Sequence, residues 1–187
     1  MSEQHRAVGR VKEVTSLSNP LVKDIKALAL KKFRDQQHAF MAEGLKLVID
    51  ALDLGWQVRT LVFAKAGRGN PAVEKAAART VAAGGTVLEV SEKVLSAITR
   101  RDNPQMVVGV FSQQFVALKD IRPRDGDVWL ALDRVRDPGN LGTVIRTVDA
   151  VGAKGVILVG DTTDPFAVEA VRATMGSIFA VPVARAT

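Results

Sequence analysis

The chain has 187 residues, 47% of them apolar and 25% charged, with a formal net charge of +6; that is enough to bury one large core or two small ones. It contains no cysteine and two histidines, which excludes disulfides, thiolate zinc sites and cysteine nucleophiles, and no metal site is expected. No apolar run approaches the roughly 18 residues of a membrane span, and "MSEQHRAVGRVKEVTS" lacks the apolar core of a secretory signal, so no membrane partner and a cytoplasmic location are expected.

In chain order, "SLSNPLVKDIKALALKKFRDQQHAFMAEGLKLVIDALDLGWQV" opens with a turn at Asn19-Pro20 and continues as helix. Leu21, Ile25, Leu28 and Leu30 approximate a helical stripe; Leu45, Val48, Ile49 and Leu52 form a clearer one, which Gly55 closes as a C-cap. "VRTLVFA" reads as a strand, "NPAVEKAAARTVAAGG" as a helix from Pro71 to the Gly84-Gly85 stop, "TVLEVS" as a strand, "EKVLSAIT" as a short helix and "QMVVGVFS" as a strand. This alternation predicts a small α/β sandwich over 1–112, ordered from about residue 12. "QQFVALKDIRPRDGD" reads as a linker over 113–126.

A second β–α series follows over 127–187. "VWLALDRV" reads as a buried strand, "LGTVIRTVDAVG" as a helix, "GVILVG" as a strand, "PFAVEAVRAT" as a helix begun by Pro165, and "IFAVPVA" as a strand. Strand–helix–strand–helix–strand with short loops predicts a parallel sheet, with a ligand site at the carboxyl ends of its strands. Three strands make a small sheet with an exposed edge, and the chain reads as shortened. Charge divides at the same place. Residues 1–125 carry 20 Lys/Arg against 13 Asp/Glu, and residues 126–187 carry 6 against 7. The pattern suits a first part that grips a polyanion and a second that houses a pocket; ordinary solvated basic faces would give the same counts.

"DPGNLGTVIRT" carries the first chemical signal. Leu141, Val144, Ile145 and Val148 fall on one helical face, and Arg146 lies off it. Helical side chains lean toward the N-terminus, so Arg146 is expected to return over Gly142 toward Asn140 and the free amides of the helix start. That mouth suits a phosphate or a ribose. The alternative is structural, with Asn140 capping the helix and Arg146 paired with Asp149 or Asp133. In "ATMGSIFAVPV", Gly176 is either a helix C-cap or, with the Ser177 hydroxyl, part of a pocket wall.

Together, "DPGNLGTVIRTVDAVG" and "VRATMGSIFAVPV" resemble the first two signature motifs of the SpoU (TrmH-like) RNA 2'-O-ribose methyltransferases. "SLSNPLVKDIKAL…FRDQQHAFMAEGLKLVIDAL" is similar to that family's accessory domain, whose fold resembles L30e-type RNA-binding proteins. The resemblance covers about Val14 to Val183 and implies an L30e-like sandwich followed by part of a knotted α/β methyltransferase domain. It implies methyl transfer from S-adenosylmethionine to a ribose 2'-hydroxyl of RNA, with ribosomal RNA expected, by a homodimer. By position the catalytic candidates are Asn140 and Arg146; a guanidinium, which stays protonated, is expected to orient the ribose or a phosphate and to stabilise developing alkoxide charge. Glycine-rich and Ser-Leu-Asn elements of the third motif do not occur before Thr187, so the donor-binding residues are expected beyond it and none is assigned. In the accessory domain Asn19, Lys23, Arg34 and Glu43 match the family pattern; Asn19, Lys23 and Arg34 are the RNA-binding candidates, and Glu43 is read as a structural residue near a helix start. Few aromatics and no Tyr disfavour base-stacking sheets and favour recognition of shape and backbone. Two other readings stand beside the enzyme: a non-enzymatic RNA-binding protein using the basic first part, and a small nucleotide-binding domain unrelated to RNA.

Overall fold

Asn19 starts the first helix. Its side chain accepts a hydrogen bond from the Leu21 amide at 2.9 Å, and Pro20 occupies the first helical position, where no amide is missed. In the computed structural model, which describes residues 9–186, helix α1 (Pro20–Ala27) buries Val22 and Ile25. The chain does not then continue as helix. Helix α2 (Lys31–Gln37) is separate and ends at His38, in the left-handed conformation at φ 47°, and "AFMAE" is strand β2 (Ala39–Glu43), with four of its five residues buried. An apolar run buried on both faces shows no period, so the sequence does not separate this strand from the helices around it. Helix α3 (Leu45–Asp53) follows, and Gly55 at φ 86° ends it as expected.

Strand β1 (Arg10–Val14) is the other unannounced element. Only Val14 of "RVKEV" is buried, so no apolar face marks it as a strand. Strand β3 (Val58–Ala64), helix α4 (Pro71–Ala82), strand β4 (Thr86–Val90), helix α5 (Glu92–Thr99) and strand β5 (Val107–Ser112) lie where the alternation placed them. The sheet order is β1-β4-β3-β5-β2, with β4 parallel to β1 and β3, and β5 antiparallel to β3.

The described chain divides into two compact units, 9–29 with 41–112 and 30–40 with 113–186, so the division passes through β2. In the second unit, residues 113–126 contain a short 3-10 turn at Leu118–Asp120 and a parallel bridge from Val116 to Ala184. Strands β6 (Trp129–Asp133), β7 (Gly155–Val159) and β8 (Val183–Ala186) form the expected parallel sheet in that order. Helices α6 (Pro138–Ala150) and α7 (Val168–Thr174) connect them. Leu141, Ile145 and Val148 of α6 are buried, and the Phe40 and Phe166 rings lie 4.7 Å apart between centroids in this unit's core.

Three expectations for this unit change. Strand β6 is an edge, not a buried strand: its residues are half-buried or exposed, Leu130 by 38%. Helix α7 begins at Val168 rather than at Pro165, because the Asp164 carboxylate accepts from the Phe166 amide at 3.0 Å and turns the chain first. "IFAVPVA" is not one strand. Ser177–Phe179 is a 3-10 turn, and β8 starts after Pro182, which has no amide to give a ladder. Among the described residues, no helix is long and apolar enough to cross a membrane.

Candidate active site

The carboxyl ends of β6 and β7 are shaped by backbone geometry. Arg134, the first residue after β6, adopts φ 50°, and its amide donates to the Val159 carbonyl at 3.0 Å. Its guanidinium pairs with Asp133 at 2.8 Å, which holds the arginine pKa above its usual value. Gly160, at φ 68°, lies opposite; a Cβ there would stand 3.3 Å from the Arg134 Cγ. Arg136 pairs with Asp161 at 2.6 Å. These contacts fix the entry to α6 from both strands.

Helix α6 begins earlier than the sequence reading placed it. Asp137 is the N-cap, accepting from the Asn140 amide at 2.6 Å, and Pro138 follows at the first helical position. An Asp-Pro start of this kind is a helix signal in its own right, and it shows that the loop glycines already belong to the helix. The Asn140 side chain is therefore relieved of capping. The vacancy expected at Gly142 is also used otherwise. Gly142 is buried, and a Cβ there would fall on the Ala170 carbonyl and within 2.6 Å of the Ala173 Cβ, so this glycine admits α7 rather than the Arg146 guanidinium.

Asn140, Thr143 and Arg146 follow one another at three-residue spacing along the exposed side of α6. The Thr143 hydroxyl donates to the Gly139 carbonyl at 2.9 Å. Both carboxylates considered as partners for Arg146 are engaged elsewhere. Asp133 pairs with Arg134, and Asp149 accepts from the Ser177 hydroxyl at 2.7 Å. Among the described residues, neither pairs with Arg146. The Asp149–Ser177 bond ties α6 to the turn before β8, joining the two signature segments, and sequence spacing gave no sign of it.

The structure brings Asn140 and Arg146 together on one helix in the second unit, while Asn19 and Lys23 lie on α1 in the first. Lys23 is exposed, and Asn19 is the α1 cap. Glu43, at the end of β2, lies 3.4 Å from Arg101 in a part-exposed pair. Arg34 is corrected. It groups with the second unit, its side chain is 4% exposed, and Nε donates to Asp164 at 2.8 Å. A guanidinium buried in that way offers no face to a polyanion. Arg185 approaches the same carboxylate at 3.7 Å while lying over the Phe115 ring at 4.6 Å.

The glycines at the strand ends bear on a nucleoside-containing cofactor. Gly155, at the amino end of β7, is covered by the Trp129 ring, and Gly142 by α7, whereas Gly160, at the carboxyl end of β7, is exposed with the Arg134 and Asp133 side chains near it. Among the described residues no cluster of His, Cys, Asp and Glu suits a metal ion.

Residues 19–109 match the MRM3-like substrate binding domain, and residues 127–187 match the SpoU rRNA Methylase family. The 23S rRNA (guanosine(2553)-2'-O)-methyltransferase RlmP of Bacillus subtilis is 34% identical over 175 residues, 94% of this chain and 65% of its own length. The crystal structure of an rRNA methyltransferase from Sinorhizobium meliloti superposes with a TM-score of 0.89 at 68% identity, again over 94% of this chain and 65% of the other. The AdoMet-bound structure of an rRNA methyltransferase from the same organism gives 0.88, covering 94% and 64%. This chain thus spans slightly less than two thirds of the length of the proteins it matches.

Proposed function

The chain belongs to the SpoU/TrmH family of rRNA methyltransferases, and we propose that it serves the transfer of a methyl group from S-adenosylmethionine to a ribose 2'-hydroxyl of ribosomal RNA. Residues 1–112, apart from 30–40, which group with the second unit, take the part of the RNA-gripping domain, 113–126 connect, and 127–187 carry the ribose-facing part of the methyl-transfer domain. The observation that carries this reading is the side of α6 that bears Asn140 and Arg146. Its polar groups have been released from structural duty, since Asp137 caps the helix, Arg134 takes Asp133 and Ser177 takes Asp149.

S-adenosylmethionine, when bound, supplies an electrophilic methyl carbon. No contact to it is assigned to this chain's residues. Their work concerns the acceptor. A guanidinium offers donors and no acceptor, so removal of the ribose proton is not assigned to Arg146. Its planar fork of donors suits the ribose oxygens and the adjacent phosphate, and it stabilises negative charge as the 2'-oxygen gives up its proton. The Asn140 amide both donates and accepts, which fixes the hydroxyl's orientation without competing for its charge. Asp149 and Ser177 act through other groups, holding α6 against the turn before β8. In the first unit, exposed Lys23 contributes a phosphate contact, while Asn19 holds the start of its helix. A homodimer and a cytoplasmic location complete the proposal. The exposed apolar residues Val128 and Leu130 at the β6 edge support the dimer, since an open apolar sheet edge invites a partner.

A double-mutant cycle tests the reading in the natural gene product that carries this sequence. Single-turnover methyl transfer into rRNA is measured for Asn140→Ala, Arg146→Ala and the pair. If both groups act on one ribose, the double variant loses less than the product of the single losses. Purely multiplicative losses, or none, would remove Asn140 and Arg146 from the site.

A further inference from the structure

We propose that a cleft at the carboxyl end of β3, in the first unit, takes up one unstacked nucleobase of the RNA, of a kind that presents amino or imino hydrogens. The inference rests on the RNA-modifying reading above and adds to it a place and a chemistry of recognition. The cleft measures about 500 Å³, within the range of small-ligand sites.

Its position follows from topology. Strand β3 ends at Ala64, and residues 102–106 cross beside that end before entering antiparallel β5. On the other side of β3, parallel β4 delivers helix α5, which is capped by Ser91. The chain leaves β3 for a neighbour on one side and returns through β5 on the other. Such a reversal opens a crevice beyond the strand ends.

The lining has two characters. Leu95, Pro104 and Met106 supply apolar surface. The place of Met106 is built: its carbonyl accepts from the Ala64 amide at 3.0 Å, and a Cβ on Gly67 would lie 3.1 Å from its Sδ. Gly67 thus makes room for the thioether beside the end of β3, while 39% of Met106 stays exposed. A polarizable sulfur so presented packs well against an aromatic ring.

The polar lining selects among ligands. Glu92 and Ser96 lie with Leu95 at helical spacings that share one face of α5. Ser96 and Gln105 both donate and accept, whereas the carboxylates of Glu92 and Asp102 supply acceptors. Two carboxylates repel a phosphate, so the RNA backbone does not enter. They complement the amino and imino hydrogens of a Watson–Crick edge, which single-stranded segments of RNA expose. Cations stand outside the cleft. Lys93 and Arg100 are exposed, Arg100 ends α5 at φ 55°, and among the described residues neither forms an ion pair. They suit the phosphates flanking the inserted base.

The test uses the 187-residue chain with two probes, a short RNA hairpin whose unpaired loop contains guanines and a fully paired RNA duplex of equal length. Fluorescence anisotropy in about 0.1 M salt should show preference for the hairpin. Ser96→Leu, which fills the cleft, should weaken hairpin binding roughly tenfold and leave duplex binding unchanged. Gln105→Ala, on an exposed loop and without a side-chain partner among the described residues, should weaken the hairpin by a smaller factor and guards against misfolding of the helix variant. Glu92→Gln should reduce the preference for guanine over uracil in the loop. If the wild-type chain binds the hairpin and all three variants match it, the cleft is not the base site although the RNA reading stands. If the wild-type chain binds neither RNA, the RNA reading fails and the cleft assignment with it.

Discussion

Two arginines of the second unit meet opposite fates. Arg34, on α2, is enclosed and bonded through Nε to Asp164 at 2.8 Å, and both side chains are 4% exposed. Arg146, on α6, lies on the solvent side of its helix, and the two carboxylates considered as its partners are engaged by Arg134 and Ser177. Both are arginines within helices beside polar neighbours, and in the sequence they look alike. The difference lies in what the fold supplies around them. A guanidinium bonded to a buried carboxylate holds structure together, and one whose possible partners are taken is left for a ligand. Surroundings, more than residue type, divide the charged residues of this unit into those that build it and those that work.

Removing the buried acid should give the largest effect on stability. Asp164→Ala leaves the Arg34 guanidinium enclosed without its carboxylate and should cost about 3–5 kcal/mol, read as a fall in the urea midpoint. Replacing both partners by apolar residues, as in Arg34→Met with Asp164→Leu, should recover most of that loss. A double variant as unstable as the single one would show that the pair does more than satisfy itself. Gly142→Ala comes next. The new methyl group meets the Ala170 carbonyl and the Ala173 Cβ, where backbone has to shift, and the cost should be about 1–3 kcal/mol. An unchanged melting temperature would mean that α6 and α7 are not packed as closely as described. Asp137→Ala removes the α6 cap and should cost about 1 kcal/mol, while Asp137→Asn should keep most of the bond from the Asn140 amide. Equal losses in the two variants would assign the effect to charge rather than to capping.

The comparison also explains what the sequence could and could not reveal. Helix α5 is read correctly from "EKVLSAIT", where Val94, Leu95 and Ile98 are buried; Ser91, read as the end of the preceding strand, is its cap. Strand β2 escapes because both of its faces are buried, and β1 because almost none of it is. The start of α6 is legible in Asp137-Pro138, and the glycines that follow, which resemble a loop, belong to the helix. The fate of Arg34 was not legible at all, since its partner lies 130 positions away. The same holds for Asp149 and Ser177, which are 28 apart. Motif spacing brought Asn140 and Arg146 forward as a pair. It could not show that Asp137 would free the asparagine from capping, or that other side chains would occupy Asp133 and Asp149.

The most direct measurement makes Arg146→Ala in the natural gene product that carries this sequence and records thermal unfolding and methyl transfer to rRNA on the same preparation. An exposed residue without structural duty should leave the melting temperature unchanged, while turnover should fall by roughly two to three orders of magnitude, as when a donor to developing oxyanion charge is lost. A folded variant that methylates rRNA at the wild-type rate would contradict the assignment of Arg146 to the acceptor ribose.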